Sequence, residues 1–274
     1  MVNSLGKLGI WRSVTQLDGD LAREVENLGY GAIWLGASPD GKLEIVDELL
    51  DATDHIVVAT GIVNMWKDDA ATVGESYHRI AARHPGRFLL GVGIGHPEAT
   101  QVYQKPYDKI IEYLDGLDKA EVPGADVALA ALGPKVLKVS AERTAGAHPY
   151  LTTPAHTREA RAVLGEGVLL APEQTLYLGT DPREARRIGR QFVKRYLALR
   201  NYVSNLRRLG WTAEDVEGEC SDALIDALVL HGDADTIAAG VTAHLDAGAD
   251  HVCIQVLNDD PVPAYRAVAQ VLLS

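Results

Sequence analysis

Short apolar runs alternate along this chain with longer segments whose apolar residues recur at i, i+3, i+4 and i+7, the pattern of strands separated by amphipathic helices. The first pair is KLGIWR (7–12) and then TQLDGDLAREVENLG (15–29), which places Leu17, Leu21, Val25 and Leu28 on one helical face and stops at Gly29. AIWLG (32–36) predicts the second strand, KLEIVDELLDAT (42–53) its helix, and IVVATGIVNMW (56–66) the third strand. A helix over 68–86 leads to the fourth strand, the run from Phe88 to Val92, and a helix over 105–120 follows. Then come DVALAAL (126–132), a helix over 134–146, AHPYLTT (147–153), the helix PAHTREARAVLG and the strand GVLLAPEQTLYLG. Residues 182–245 read as a long helical stretch in two segments before the last strand, HVCIQVL (251–257), and a final helix.

The eight predicted strands are nearly all continuous apolar runs rather than alternating ones, which belongs to parallel strands covered on both faces. Eight strand-helix units in about 250 residues predict an α/β fold of the (β/α)8 TIM-barrel kind. A doubly wound sheet fits the same alternation. The extra helices of 182–245 predict a helical insertion between strands seven and eight, over the end of the barrel where active sites are built. No linker-like stretch divides the 274 residues, so a single domain over 1–274 is expected.

Composition narrows the partners. Hydrophobic residues make up 47% and charged ones 23%, ordinary for a globular chain that buries a large core. The formal charge of −12, with Lys and Arg scattered, repels a phosphate backbone and argues against nucleic acid. Cys220 and Cys253 read as reduced structural thiols. With no long apolar run and no leader-like start, the expectation is a cytoplasmic protein with no membrane partner, acting on a small molecule.

The expected strand ends carry the candidate chemistry. In GVGIGH (91–96), Gly93 and Gly95 leave room for a ring or a phosphate tail, or simply turn the chain out of the strand. His96 is a candidate proton donor or acceptor near neutrality, or a surface loop residue. Zinc fits poorly, because the nine histidines include no HxH or HxxxH pair. No P-loop or GxSxG motif occurs, and GVGIGH lacks the surroundings of a dinucleotide fingerprint. The residues by themselves reach as far as a barrel enzyme with a glycine-rich site.

In this order, ATGIVNMW, HPGRFLLGVGIGH, GAHPYLTTPAHT and HLDAGADHVCIQVL resemble the bacterial-luciferase-like flavin and deazaflavin oxidoreductases. Within them the chain looks most like the actinobacterial branch that uses coenzyme F420. The resemblance runs from Leu8 to about Leu273, and PGRFLLGVGIGH is its most specific piece. It implies a TIM barrel commonly paired into a homodimer, with the cofactor's tricyclic ring against the ends of strands three and four. It also implies a non-proline cis peptide at the end of strand three, here the Gly61-Ile62 bond. Carried over residue by residue, Gly61, Ile62, Val63 and Asn64 would back or edge the ring, and Gly93, Gly95 and His96 would line the other side. Thr152 and Thr153 would meet the phosphate-bearing tail, although they equally suit an ordinary helix start before Pro154.

The chain also departs from that family. Where its sugar-phosphate dehydrogenases carry an Asp-His pair after strand two, this chain has Ala37-Ser38, and His96 replaces an acidic residue after the strand-four glycines. One histidine remains of that acid-base machinery. Alcohol oxidation needs a base, whereas reduction of an activated double bond needs a hydride and a proton from any donor, which favours an F420-dependent reductase with His96, Tyr107 or water as donor. The alternatives are an FMN-dependent monooxygenase and a non-catalytic member that binds a flavin or deazaflavin. Trp11 and Trp66 either wall the pocket or pack at strand ends, and Asp259 and Asp260 read best as caps of the last helix.

Overall fold

The computed structural model describes residues 4–95 and 105–274. Its strands are β1 (Leu8–Ser13), β2 (Ala32–Gly36), β3 (Val57–Thr60), β4 (Val63–Asn64), β5 (Phe88–Gly93), β6 (Val127–Leu129), β7 (Gly146–Ala147), β8 (Leu169–Leu170), β9 (Glu173–Leu178), β10 (Val229–Gly232) and β11 (Val252–Val256). All the pairings between them are parallel. The helices between them are α1 (Gly19–Asn27), α2 (Glu44–Asp51), α3 (Ala70–Arg83), α4 (Pro106–Lys119), α5 (Pro134–Arg143) and α6 (Pro154–Leu164). Then come α7 (Pro182–Leu197), α8 (Arg200–Arg208), α9 (Ala213–Val216), α10 (Asp222–Leu228), α11 (Ala234–Asp246) and α12 (Val262–Leu272).

This is the α/β arrangement expected from the hydrophobic pattern, with a parallel sheet that runs in the order β10-β9-β11-β1-β2-β3-β5-β6-β7-β8. β8 and β9 are two parts of one extended stretch. Its lower part accepts β7 as neighbour, and the hydrogen bond from Glu173 N–H to the Pro149 carbonyl carries that edge upward. On its other side the Cys253 N–H donates to the Pro172 carbonyl, and β9 pairs with β11. Many strand positions are β-branched or leucine because the strands are covered on both faces: Ile10, Ile33, Leu35, Val58 and Ile254 are fully buried in the main core with helix residues such as Val25, Val46 and Leu49.

The third strand is interrupted. β3 stops at Thr60, the Gly61-Ile62 bond is cis, and β4 resumes at Val63 against β5. The close approach at this break explains one glycine of the apolar fourth run: a Cβ on Gly91 would come within 1.7 Å of the Thr60 carbonyl oxygen, whose own hydroxyl donates to the Gly91 carbonyl at 2.7 Å.

One element was misread from sequence. The second helical segment of the 182–245 stretch contains β10, which pairs with β9 over Val229–Gly232. Four apolar-to-neutral residues cannot be assigned to strand or helix by period alone. The readable signal is local: Gly232 has φ +137, and Asp233 caps α11 by accepting from the Thr236 N–H. The helices α7 to α10 lie between β9 and β10, and they form a separate apolar cluster around Phe192, Val193, Leu206, Leu224 and Ile225. Among the described residues, no helix is long and apolar enough to cross a membrane.

Candidate active site

A cavity of about 370 Å³ opens at the C-terminal ends of the strands. The strands from β1 to β6 contribute residues at or beyond their C-terminal halves: Trp11 from β1, Ala37 and Ser38 after β2, Gly61, Ile62 and Asn64 around the break between β3 and β4, Ile94 and Gly95 after β5, and Ala130 to Gly133 after β6. His148 and Tyr150 follow β7, and Tyr196, Asn201 and Tyr202 come down from α7 and α8. Among the described residues, no Lys, Arg, Asp or Glu is one of these walls.

Of the residues expected at a cofactor, Gly61, Ile62, Asn64 and Gly95 line this cavity. Gly95 has φ +56, and a side chain there would strike the Asn64 amide at 2.4 Å, so both backbone conformation and space call for glycine. Asn64 in turn accepts from the Trp66 N–H at 2.9 Å. Val63 and Gly93 are fully buried behind the cavity surface, Val63 within the main core and Gly93 against Ile62 and Ala130. Thr152 and Thr153 are buried at the start of α6, where Thr153 occupies the cap position without a side-chain cap bond and Thr152 Oγ1 has no partner. His96 lies outside the described residues. Tyr107 is exposed on α4, and Trp66 carries Lys109 over its ring at 5.7 Å. The Val262 N–H donates to Asp260 Oδ1 at 3.1 Å, although the cap position of α12 itself is Pro261 and has no side-chain cap bond.

The polar residues that sequence reasoning missed lie in β9 and β11, just after β7, and on α7 and α8. Tyr150 donates to Gln255 at 2.7 Å, so the hydroxyl of Tyr196, 2.8 Å away, donates to Tyr150. The rings of Tyr150, Tyr196 and Tyr202 pack together with centroid distances of 5.2 to 6.3 Å, giving one wall an aromatic surface. Beneath it Glu173 is fully buried and its pKa is pushed up to about 7 by burial, against the Thr175 hydroxyl (2.5 Å) and the Leu151 N–H (3.2 Å), which both favour the charged form. His148 is also fully buried, and burial pushes its pKa down to about 4, so it is neutral. Nothing in the local sequence marks these residues, because strand interiors are ordinarily apolar. The available signal was that His148 and Tyr150, like Glu173 and Thr175, alternate along their chain segments and therefore share a face.

Such a site offers a flat, mostly apolar slot with hydrogen-bonding groups at its floor and one wall. Comparison with known proteins gives the slot a setting. Over residues 18–121 the chain matches the luciferase-like monooxygenase family. The resemblance read from the sequence is borne out at that level, and among curated proteins no match is found. Solved structures resemble this chain over nearly its full length. One is an F420-dependent secondary alcohol dehydrogenase in complex with an F420-acetone adduct, with 13% identity, 98% of each chain covered and a TM-score of 0.77. Another is the coenzyme F420 dependent tetrahydromethanopterin reductase from Methanopyrus kandleri, with 16% identity, 98% of each chain covered and a TM-score of 0.71. A third is the oxygenating constituent of 3,6-diketocamphane monooxygenase from Pseudomonas putida in complex with FMN, with 16% identity, 97% of each chain covered and a TM-score of 0.67. At these identities the likeness is one of fold.

Proposed function

We propose that this protein is an F420-dependent oxidoreductase that acts on a small organic molecule as a reductase. The observation that carries the reading is the cavity itself. It lies at the strand ends between the interrupted third strand and Gly95, in a fold whose solved relatives include F420 and FMN proteins. On this reading the sheet is a (β/α)8 barrel, the helices α7 to α10 are its insertion, and the protein works as a cytoplasmic homodimer.

The residues present fit a flat tricyclic ring. Ile62 and the cis Gly61-Ile62 bond offer a backbone bulge on one side, Gly95 and Asn64 an edge without bulk, and Ala130 and Ala131 a second wall of small side chains. Val63 and Gly93 support these groups from behind. Thr152 and Thr153, at the N-terminal end of α6 and behind the cavity walls, are assigned to the phosphate-bearing tail. When bound, the deazaflavin supplies the hydride. His96, next to Gly95 in the chain, is assigned the proton transfer, and the apolar walls at Ile94, Ile110 and Leu132 keep water from the reacting atoms.

The test is to mix the protein with chemically reduced F420 and a panel of activated alkenes and imines, and to follow the return of the oxidised cofactor's visible absorbance. Return with wild type and its loss in Ala130→Trp, which fills the cavity, supports the reading. Turnover with FMN and oxygen but none with F420 overturns it in favour of a monooxygenase.

A further inference from the structure

Glu173 holds the chain on both sides of Tyr150. Its backbone N–H donates to the Pro149 carbonyl at 2.9 Å, and its carboxylate accepts from the Leu151 N–H at 3.2 Å. Leu151 needs holding: its φ of +54 lies in the left-handed region, which a bulky side chain enters only where its surroundings enforce it. Between these two anchors stands Tyr150, whose ring lines the cavity and whose hydroxyl donates to Gln255 on β11 at 2.7 Å. The register sets Gln255 opposite Thr175 of β9, and the Thr175 hydroxyl donates to the other oxygen of the Glu173 carboxylate at 2.5 Å. Tyr150 is thus fixed at its hydroxyl by β11 and at its backbone by β9.

A carboxylate is an unfavourable choice for such an anchor. Glu173 is fully buried with no ion pair among the described residues, whereas a neutral amide would accept from the same N–H without the cost of burying a charge. What the carboxylate adds is a grip that changes with its charge. Ionised, it makes charge-assisted bonds to Leu151 and Thr175; protonated, it makes ordinary ones. The groups around it stay neutral near pH 7. Tyr150, Tyr196 of α7, Tyr202 of α8 and Cys253 of β11 are all pushed up, by burial first and by the Glu173 charge among the further causes. His148 and His251, beside β7 and β11, are both pushed down to about 4 by burial.

We propose that Glu173 is a positioning residue of the cavity: through the Leu151 turn it sets where the Tyr150 ring stands, and its ionised form holds that wall ready for the ligand more firmly than its protonated form. Glu173 lies behind the wall and acts on the ligand through Tyr150. The inference rests on the reading above only in taking this cavity as the binding site.

The test begins with no ligand present. In protein labelled with 15N, and with 13C in its tyrosine rings, titration from pH 8.5 to pH 6 should move the Leu151 amide and Tyr150 ring signals together. Their shared midpoint should lie near 7, the value to which burial pushes the Glu173 carboxyl. Over the same range the nuclear Overhauser contact between the rings of Tyr150 and Tyr196, whose centroids are 5.2 Å apart, should weaken. Glu173→Gln keeps the size and one acceptor oxygen but removes the charge, so its signals should stay at the low-pH positions throughout. The second arm is the affinity for oxidised F420 at pH 6 and pH 8. The gain on going to pH 8 should be about threefold larger in wild type than in Glu173→Gln, roughly the difference between a charge-assisted and an ordinary hydrogen bond. Comparing the two proteins cancels any titration of the ligand itself.

A Leu151 amide that titrates while the Tyr150 ring and its contact with Tyr196 stay unchanged overturns the proposal, and so does the same titration in Glu173→Gln or an equal pH effect on F420 affinity in both proteins. Should the variant fail to fold, the wild-type titration decides. If F420 does not bind, the F420 reading fails and the ligand-free arm still decides this one. If F420 binds and the ligand-free signals do not titrate, this inference fails and the F420 reading stands.

Discussion

Lowering the pH from 7 to 5 should remove a large part of this protein's stability through three histidines. His148, His244 and His251 are fully buried, and burial pushes the pKa of each down to about 4 from the ordinary 6.5. All are hydrogen-bonded as neutral rings: His148 to the Ala171 carbonyl (2.8 Å), His251 between the Gly6 carbonyl (2.9 Å) and the Trp34 indole (3.1 Å), and His244 between Thr157 (2.7 Å) and Gln174 (2.8 Å). The unfolded chain takes up these protons as the pH falls through 6.5, and the folded chain only near 4. Their contribution is therefore present above pH 6.5 and is lost progressively between pH 6.5 and 4. At about 1.4 kcal/mol per pH unit, each histidine costs about 2 kcal/mol at pH 5.

Glu173 works the other way. Its folded pKa of about 7 lies above the ordinary 4.5, so its penalty grows as the pH rises from 4.5 to 7, and a fall to pH 5 returns about 2 kcal/mol. The net loss is about 4 kcal/mol, against a total stability of about 5–15 kcal/mol for a typical domain. Urea unfolding followed by tryptophan fluorescence at pH 7, 6 and 5 measures it. His244→Gln should shrink the loss between pH 7 and 5 by about 2 kcal/mol, and Glu173→Gln should enlarge it by about as much. A midpoint that does not move between pH 7 and 5, or a loss that ignores both substitutions, would refute the reasoning.

Two further outcomes follow from the packing. Gly91→Ala places a methyl group 1.7 Å from the Thr60 carbonyl oxygen, within backbone that cannot shift without breaking the β3–β5 pairing, so it should cost at least about 3 kcal/mol in chemical denaturation. Tyr150→Phe leaves the Gln255 carbonyl oxygen and the Tyr196 hydroxyl without their shared partner, which should lower stability by about 1–2 kcal/mol and weaken ligand binding at the aromatic wall, as thermal unfolding and titration would show.

The alternation of strands and helices was legible in the sequence because parallel strands and amphipathic helices have different hydrophobic periods. The strand-end glycines were legible for a related reason: a glycine that ends an apolar run marks a place where something comes close. At Gly91 that neighbour is the backbone of β3, and at Gly95 it is the Asn64 side chain. Gly61, Ile62 and Asn64 were reached through the family resemblance and Trp11 as a possible pocket wall, but the rest of the site escaped notice. Tyr196, Asn201 and Tyr202 come from helices with no motif, and only the fold brings them over the strand ends. Trp11 and His148 are 137 positions apart in the chain, and only the fold brings both rings against Gly61. β10 was hidden inside a helical reading because a four-residue strand carries no period of its own.

The central claim is that the cavity between the interrupted third strand and Gly95 holds a deazaflavin ring. Titration of the purified protein at neutral pH with oxidised F420, and separately with FMN, following quenching of each cofactor's fluorescence, tests it most directly. Quenching by F420 at micromolar concentrations, much weaker quenching by FMN, and neither in Ala130→Trp, is the expected result. Quenching by FMN alone, or F420 binding that survives the filling of the cavity, would contradict it.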